Sequence, residues 1–119
     1  MKTIFDKKLH IEDLTIFIKI FKLYKSFLTL ISDQRELGIG DVTLSIPPTI
    51  EGLKSTSSSF KLFGMHKNLM SSIIAKKISY ILKAPILVLL FLKTEKEEEE
   101  ILKPLINFLN MNLKEIIKK

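Results

Sequence analysis

The stretch Leu14-Thr15-Ile16-Phe17-Ile18-Lys19-Ile20-Phe21-Lys22-Leu23-Tyr24-Lys25-Ser26-Phe27-Leu28-Thr29-Leu30-Ile31 decides the fold, because it satisfies two periodicities at once. On a helical wheel Thr15, Lys19, Lys22, Ser26 and Thr29 form one polar stripe. Read as alternation, the same residues are two strands meeting near Tyr24. Thr, Ile, Phe and Tyr supply most non-lysine positions from Thr15 to Phe27, and these are strand formers. The local pattern alone leaves both readings open. A basic amphipathic helix would suit a membrane surface or a partner's groove, whereas a hairpin belongs in a sheet.

The surrounding chain supplies the context. Its 119 residues predict one domain, since two halves would each be too small to bury a useful apolar core. A hydrophobic content of 46% with four glycines and four prolines belongs to a globular chain. The absence of cysteine excludes disulfides, thiolate metal sites and cysteine nucleophiles, and is compatible with a reducing compartment. The charged start Met-Lys-Thr-Ile-Phe-Asp-Lys-Lys lacks the uninterrupted apolar segment of a signal peptide. The longest wholly apolar run, residues 86–92, is far below the roughly 20 residues a membrane-spanning helix requires. The net charge of +6 raises nucleic acid as a partner, but the basic side is 18 lysines to one arginine. Arginine is the preferred residue for bidentate phosphate and guanine contacts, so its near absence argues against that partner.

Downstream, Leu69, Met70, Ile73, Ile74, Ile78, Ile81 and Leu82 recur at helical spacing and predict a helix over about 66–83. Gly64 precedes it, Lys83 suits its last turn, and Pro85 helps to stop it. Residues 86–92 form an aliphatic run of strand length without alternation, expected at the centre of a sheet or covered on both faces. Thr94 as N-cap and the acidic run Glu97 to Glu100 open a second helix over about 97–117, whose apolar face carries Leu102, Leu105, Ile106, Leu109, Leu113, Ile116 and Ile117. Pro104 is its misfit, so either the helix kinks there or the firm part begins near Lys103. In the middle, residues 41–46 alternate and residues 60–63 are short and apolar, both strand candidates. Gly38 and Gly40 mark a turn ahead of the first. A loop is expected over about 47–59. The predicted fold is α+β, a mainly antiparallel sheet with the hairpin at about 14–32, further strands at 41–46, 60–63 and 86–92, and two helices. A chain carrying two helices needs a sheet wide enough to cover them, which favours the hairpin.

Candidate chemistry is sparse. His10 and His66 have no carboxylate at metal-ligand spacing. Gly38 and Gly40 lack a third glycine and open no helix, so they are not a phosphate loop. Ser55 to Ser59 sit in no nucleophile elbow, and the adjacent carboxylates Glu97 to Glu100 cannot all face one ion on a helix. No catalytic, cofactor or metal residues are predicted, and a binding or scaffolding role remains.

Several features together make the chain resemble the proteasome assembly chaperone 3 family. They are Lys61-Leu62-Phe63-Gly64 closing a strand, Leu69-Met70 opening a helix that continues through Ile74-Ala75-Lys76-Lys77-Ile78, the strand of residues 86–92 ending at Lys93, and Leu102-Lys103-Pro104-Leu105 in the last helix. Upstream, a hairpin, a glycine turn and a Leu-Ser-containing strand match residues 27–46. The sister family, proteasome assembly chaperone 4, shares the fold and matches the helix, Pro85 and the central strand. Pro104, where the family has a helix-compatible residue, and the acidic run before it depart from the pattern.

The resemblance implies a cofactor-free, non-enzymatic chaperone of the cytoplasm and nucleus. It implies a heterodimer with a paralogous chaperone 4 type chain, holding 20S proteasome α subunits, notably the fifth, during α-ring formation. The expected partner contacts are the loop residues Pro47, Pro48, Lys54, Ser55, Ser57, Ser58 and Ser59 and the sheet from which they hang. No nucleic acid and no membrane are expected as partners. The readings from other classes are a basic amphipathic protein docking residues 13–33 on an anionic membrane or in a groove, and a small nucleic-acid-binding protein.

Overall fold

In the computed structural model, which describes residues 2–36, 38, 40–47, 56–61 and 68–117, residues 14–31 form two strands. The element order is β1 (Lys2–Ile11), β2 (Leu14–Leu23), β3 (Ser26–Ser32), β4 (Asp41–Ile46), β5 (Thr56–Lys61), α1 (Asn68–Leu82), β6 (Ile86–Phe91) and α2 (Glu98–Ile117). The strands make one sheet in the order β1-β2-β3-β6-β4-β5. Four pairings are antiparallel, and the central β3–β6 pair is parallel. The fold is α+β in a single domain, as the pattern predicted. Thr15, Lys19, Lys22, Ser26 and Thr29 form no stripe, because period-two geometry puts Lys19 and Lys22 on opposite faces. The amphipathic helix required by the membrane reading is therefore absent.

Alternation decides which side of the sheet is buried. Ile16, Ile18 and Ile20 of β2, Phe27 and Ile31 of β3, and Ile86, Val88 and Leu90 of β6 all point to one side and are buried there. Both helices lie on that side. α2 contributes Ile101, Leu105, Leu109 and Leu113, which recur every four residues and are fully buried. The edge-to-face pair Phe5–Phe108, centroids 6.2 Å apart, locks α2 to β1.

Helix α1 packs differently. Ser71 and Ser79 are fully buried, and their hydroxyls bond those of Thr43 and Ser45 on β4, while Ile73, expected on the buried face, is exposed. Hydroxyls supplied by β4 at register positions 43 and 45 explain the exchange, since buried polar atoms need partners. An apolar periodicity count cannot see such a ladder.

Several boundaries differ from expectation. β1 was not anticipated, because Lys2, Asp6, Lys7, Lys8 and His10 break up its apolar alternation, as is common on an edge strand. β5 begins at Thr56, so residues 56–59, expected in a loop, belong to the sheet as the antiparallel partners of β4. The expected loop residues 48–55, together with Leu62, Phe63, Gly64 and His66, lie outside the described residues. Lys83 sits one residue past α1 with φ 53°, a left-handed C-terminal position more often held by glycine. β6 is central, but among the described residues helices cover only one of its faces, and Leu87, Leu89 and Phe91 on the other are half-buried.

Thr94 does not cap α2, which starts at Glu98; its Oγ1 accepts from the Lys96 amide at 3.2 Å in a turn before the helix. The Asp33 carboxylate instead takes the Lys93 and Thr94 amides, at 3.0 and 2.8 Å, and ties the end of β6 to the end of β3. Beside this turn, Lys96 reaches Glu12 and Asp13 at 3.4 and 3.6 Å. The hydrogen bond to Glu12, with the nearby Asp13, Glu12 and Glu100 charges, holds the Lys96 pKa above its ordinary value against the opposing desolvation.

α2 runs uninterrupted across Pro104. Proline supplies no amide for the Glu100 carbonyl, but Glu100 is exposed, so water can satisfy that oxygen. Pro104→Ala restores the bond while giving the unfolded chain slightly more freedom. A net gain of about 2 kcal/mol is expected, read as a higher midpoint in thermal or urea unfolding. An unchanged midpoint would show that the helix has already accommodated the ring.

Candidate functional site

The second face of the sheet carries no helix among the described residues, yet its side chains are apolar. The register lays them out in rows. Across one row run Lys19, Leu30, Leu89 and Val42; across the next, Phe21, Leu28, Leu87 and Leu44. A third places Phe17 and Phe91 on either side of the small Ser32. Leu44 and Ile46 are 43% and 41% exposed, and the other apolar members are half-buried. β2, β3 and β6 therefore read as apolar on both sides, although helices cover only one.

A contiguous apolar patch across four neighbouring strands is unusual on a lone chain and marks a surface that associates. A close approach shapes one border of it. A Cβ built at Gly38 would come within 2.9 Å of the Phe91 ring, so only glycine lets the backbone pass there. Gly38 thus shapes the edge of the face.

Lysines stand at the margin of the face, on β1 and β2 and just past the end of β6. Lys8 Nζ stands 5.6 Å from the Phe17 ring centroid, and Lys93 Nζ is the same distance from that of Phe91. Lys19 reaches Asp6 at 3.9 Å, an exposed pair of small energetic weight. His10, near the far end of β1, shares a 3.1 Å hydrogen bond with Thr15. The face thus has an apolar centre with positive charge at its margin. This arrangement suits burial against a complementary surface with carboxylates on its rim. Among the described residues, no cluster of three or more histidines and carboxylates could hold a metal, and no helix is long and apolar enough to cross a membrane.

The predicted contact residues are distributed otherwise. Pro47 follows β4 and is half-buried, next to the register pair Ile46 and Thr56. Ser57, Ser58 and Ser59 lie in the edge strand β5, opposite Ser45, Leu44 and Thr43. Pro48, Lys54 and Ser55 lie outside the described residues. The sheet from which the loop hangs was expected to contribute, but its individual residues were not named. Their signal was present in the two-sided apolar strands of residues 14–31 and 86–92, which two helices could cover on only one side.

Neither a family model nor a curated protein sequence matches the chain. Among solved structures, a chain from one described as "Crystal Structure of a Novel Chaperone Complex for Yeast 20S Proteasome Assembly" superposes with a TM-score of 0.61. The superposition covers 98% of this chain and 94% of that chain, at 13% sequence identity. At that identity the likeness is one of fold, and it spans nearly the whole of both chains.

Proposed function

We propose that this chain is a non-enzymatic chaperone of 20S proteasome assembly, acting as half of a small heterodimer whose partner packs on the open sheet face. The observation that carries this reading is an apolar sheet face that no helix covers among the described residues. It lies in a fold that matches, over 98% of its length, a chain of a chaperone complex for proteasome assembly. A templating chaperone needs surfaces and no reaction, and such a surface is what the strands provide.

Charge favours a different chain over a second copy as the occupant. A second copy would bring Lys8, Lys19 and Lys93 again, with Asp6 as the carboxylate on β1 available to meet them. A paralogous chaperone of the 3 or 4 type with acidic residues at its sheet border would complement them. The proposal extends to the α subunits of the 20S proteasome, notably the fifth, held while the α ring forms in the cytoplasm and nucleus. Pro47, Pro48, Lys54, Ser55, Ser57, Ser58 and Ser59 are proposed to contribute from the β4–β5 end.

Affinity capture of the protein from its native cells tests this reading. The expected result is a second small chaperone together with free α subunits and little mature proteasome; recovery of neither would contradict it.

A further inference from the structure

A separate feature lies on the helix side of the sheet, away from the open face. Between edge strand β1, the end of β2, the start of β3 and the C-terminal ends of both helices is an open cavity of about 660 Å³. Its apolar lining is Ile4, Phe5, Phe27, Leu82 and Ile116. Neighbouring strand residues normally face opposite sides, but the pairing of β1 with β2 slips between Thr3 and Phe5. This bulge is what allows both Ile4 and Phe5 to line the cavity, and bulges commonly re-aim side chains at edges and sites.

The rim is positive. Lys2, Lys7 and Lys22 border the cavity with Asp6 and Glu115. Asp6 pairs with Lys19, 3.9 Å away on the other side of the sheet. Lys7 Nζ lies 5.6 Å from the Phe5 centroid and donates to the neutral Asn112 Oδ1 at 2.9 Å. Lys22 Nζ lies 5.1 Å from the Phe27 centroid. Neither ammonium has a described carboxylate within salt-bridge distance. Two ammonium groups beside an apolar hollow match a carboxylate borne on an apolar stem.

We propose that this cavity binds such a carboxylate, with the stem between Phe5, Phe27 and Ile116 and the anion between Lys7 and Lys22. Two sources share this chemistry: the C-terminal residue of an extended peptide ending in an aliphatic side chain, and a free medium-chain carboxylate. The site is independent of the heterodimer reading, since no open-face residue takes part.

Amide chemical-shift titration of the full chain tests it, using a capped pentapeptide ending in leucine as the free acid, the same peptide as the C-terminal amide, and octanoate. The expected result is saturable shifts at Ile4, Phe5 and Ile116, with the acid about tenfold tighter than the amide. Lys7→Gln combined with Lys22→Gln should remove that preference, while Lys8→Gln on the opposite face should keep it. Binding of octanoate, of the peptide acid, or of both supports the site and identifies the source. The proposal is overturned by equal affinity for acid and amide, by shifts located elsewhere, or by no saturable shift up to millimolar ligand. The acid-to-amide contrast is read on the unaltered protein, so it stands even if a variant folds poorly.

Discussion

Leu89→Glu is expected to release the partner chaperone from captured protein while leaving the chain folded. Leu89 lies in central strand β6, in register with Leu30 on one side and Val42 on the other, and points to the helix-free face. Docking completes the burial of a side chain already half-buried, so its replacement forfeits about 1 kcal/mol of apolar contact, and an unpaired glutamate in its place adds several kcal/mol of desolvation. A combined loss of about 5 kcal/mol lowers affinity more than 10³-fold. In the isolated chain Leu89 is half-buried between Leu30 and Val42, so the glutamate forfeits part of that packing as well as strand preference, about 2 kcal/mol together, which a typical domain survives. Partner retention and far-ultraviolet circular dichroism should separate the two effects. Lys76→Glu, on the exposed side of α1, is the control and should retain the partner. Equal retention by Leu89→Glu would remove the open face from the interface.

The opposite outcome is expected for Leu105→Ala, which weakens the fold and leaves the open face unaltered. Leu105 is fully buried in the middle of the α2 stripe, between Ile101 and Leu109. Truncation there removes the transfer energy of the side chain and leaves a cavity, together about 3 kcal/mol. That is a large share of the about 5–15 kcal/mol that holds a typical domain, and it should lower the melting temperature by about 10 °C. Met111→Ala, on the same helix but 76% exposed, should stay within about 0.5 kcal/mol of the parent. Equal effects at the two positions would mean that α2 does not dock by this stripe.

The contrast between these positions shows what the sequence could reveal. Helices announce themselves by their apolar stripes, and residues 68–82 and 98–117 were legible for that reason. The hairpin of residues 14–32 needed the rest of the chain, since its local pattern fits a helix equally well. β1 was hidden by its charges: Lys7 points to the helix side and is accommodated by Asn112, 105 residues away in sequence. The same distance problem conceals Ser71 and Ser79, whose burial makes sense only once β4 presents Thr43 and Ser45 to them. The candidate face was half visible. Two-sided apolar strands were evident, but the sheet order that joins Phe21, Leu28, Leu87 and Leu44 into one row depends on a parallel β3–β6 pair. That pair forms between residues roughly 60 positions apart, and no local signal encodes it.

The helix-free face, and not the helix layer, is where the proposed partner chaperone is expected to sit. Hydroxyl-radical footprinting of the captured complex against the free chain tests it directly, because both sides carry reactive reporters. Phe17 and Phe91 report on the sheet face; Tyr80 and Met111, 67% and 76% exposed, report on the helices. The predicted result is strong protection of Phe17 and Phe91 with Tyr80 and Met111 unchanged. Protection of Tyr80 and Met111 with Phe17 and Phe91 left reactive would contradict it.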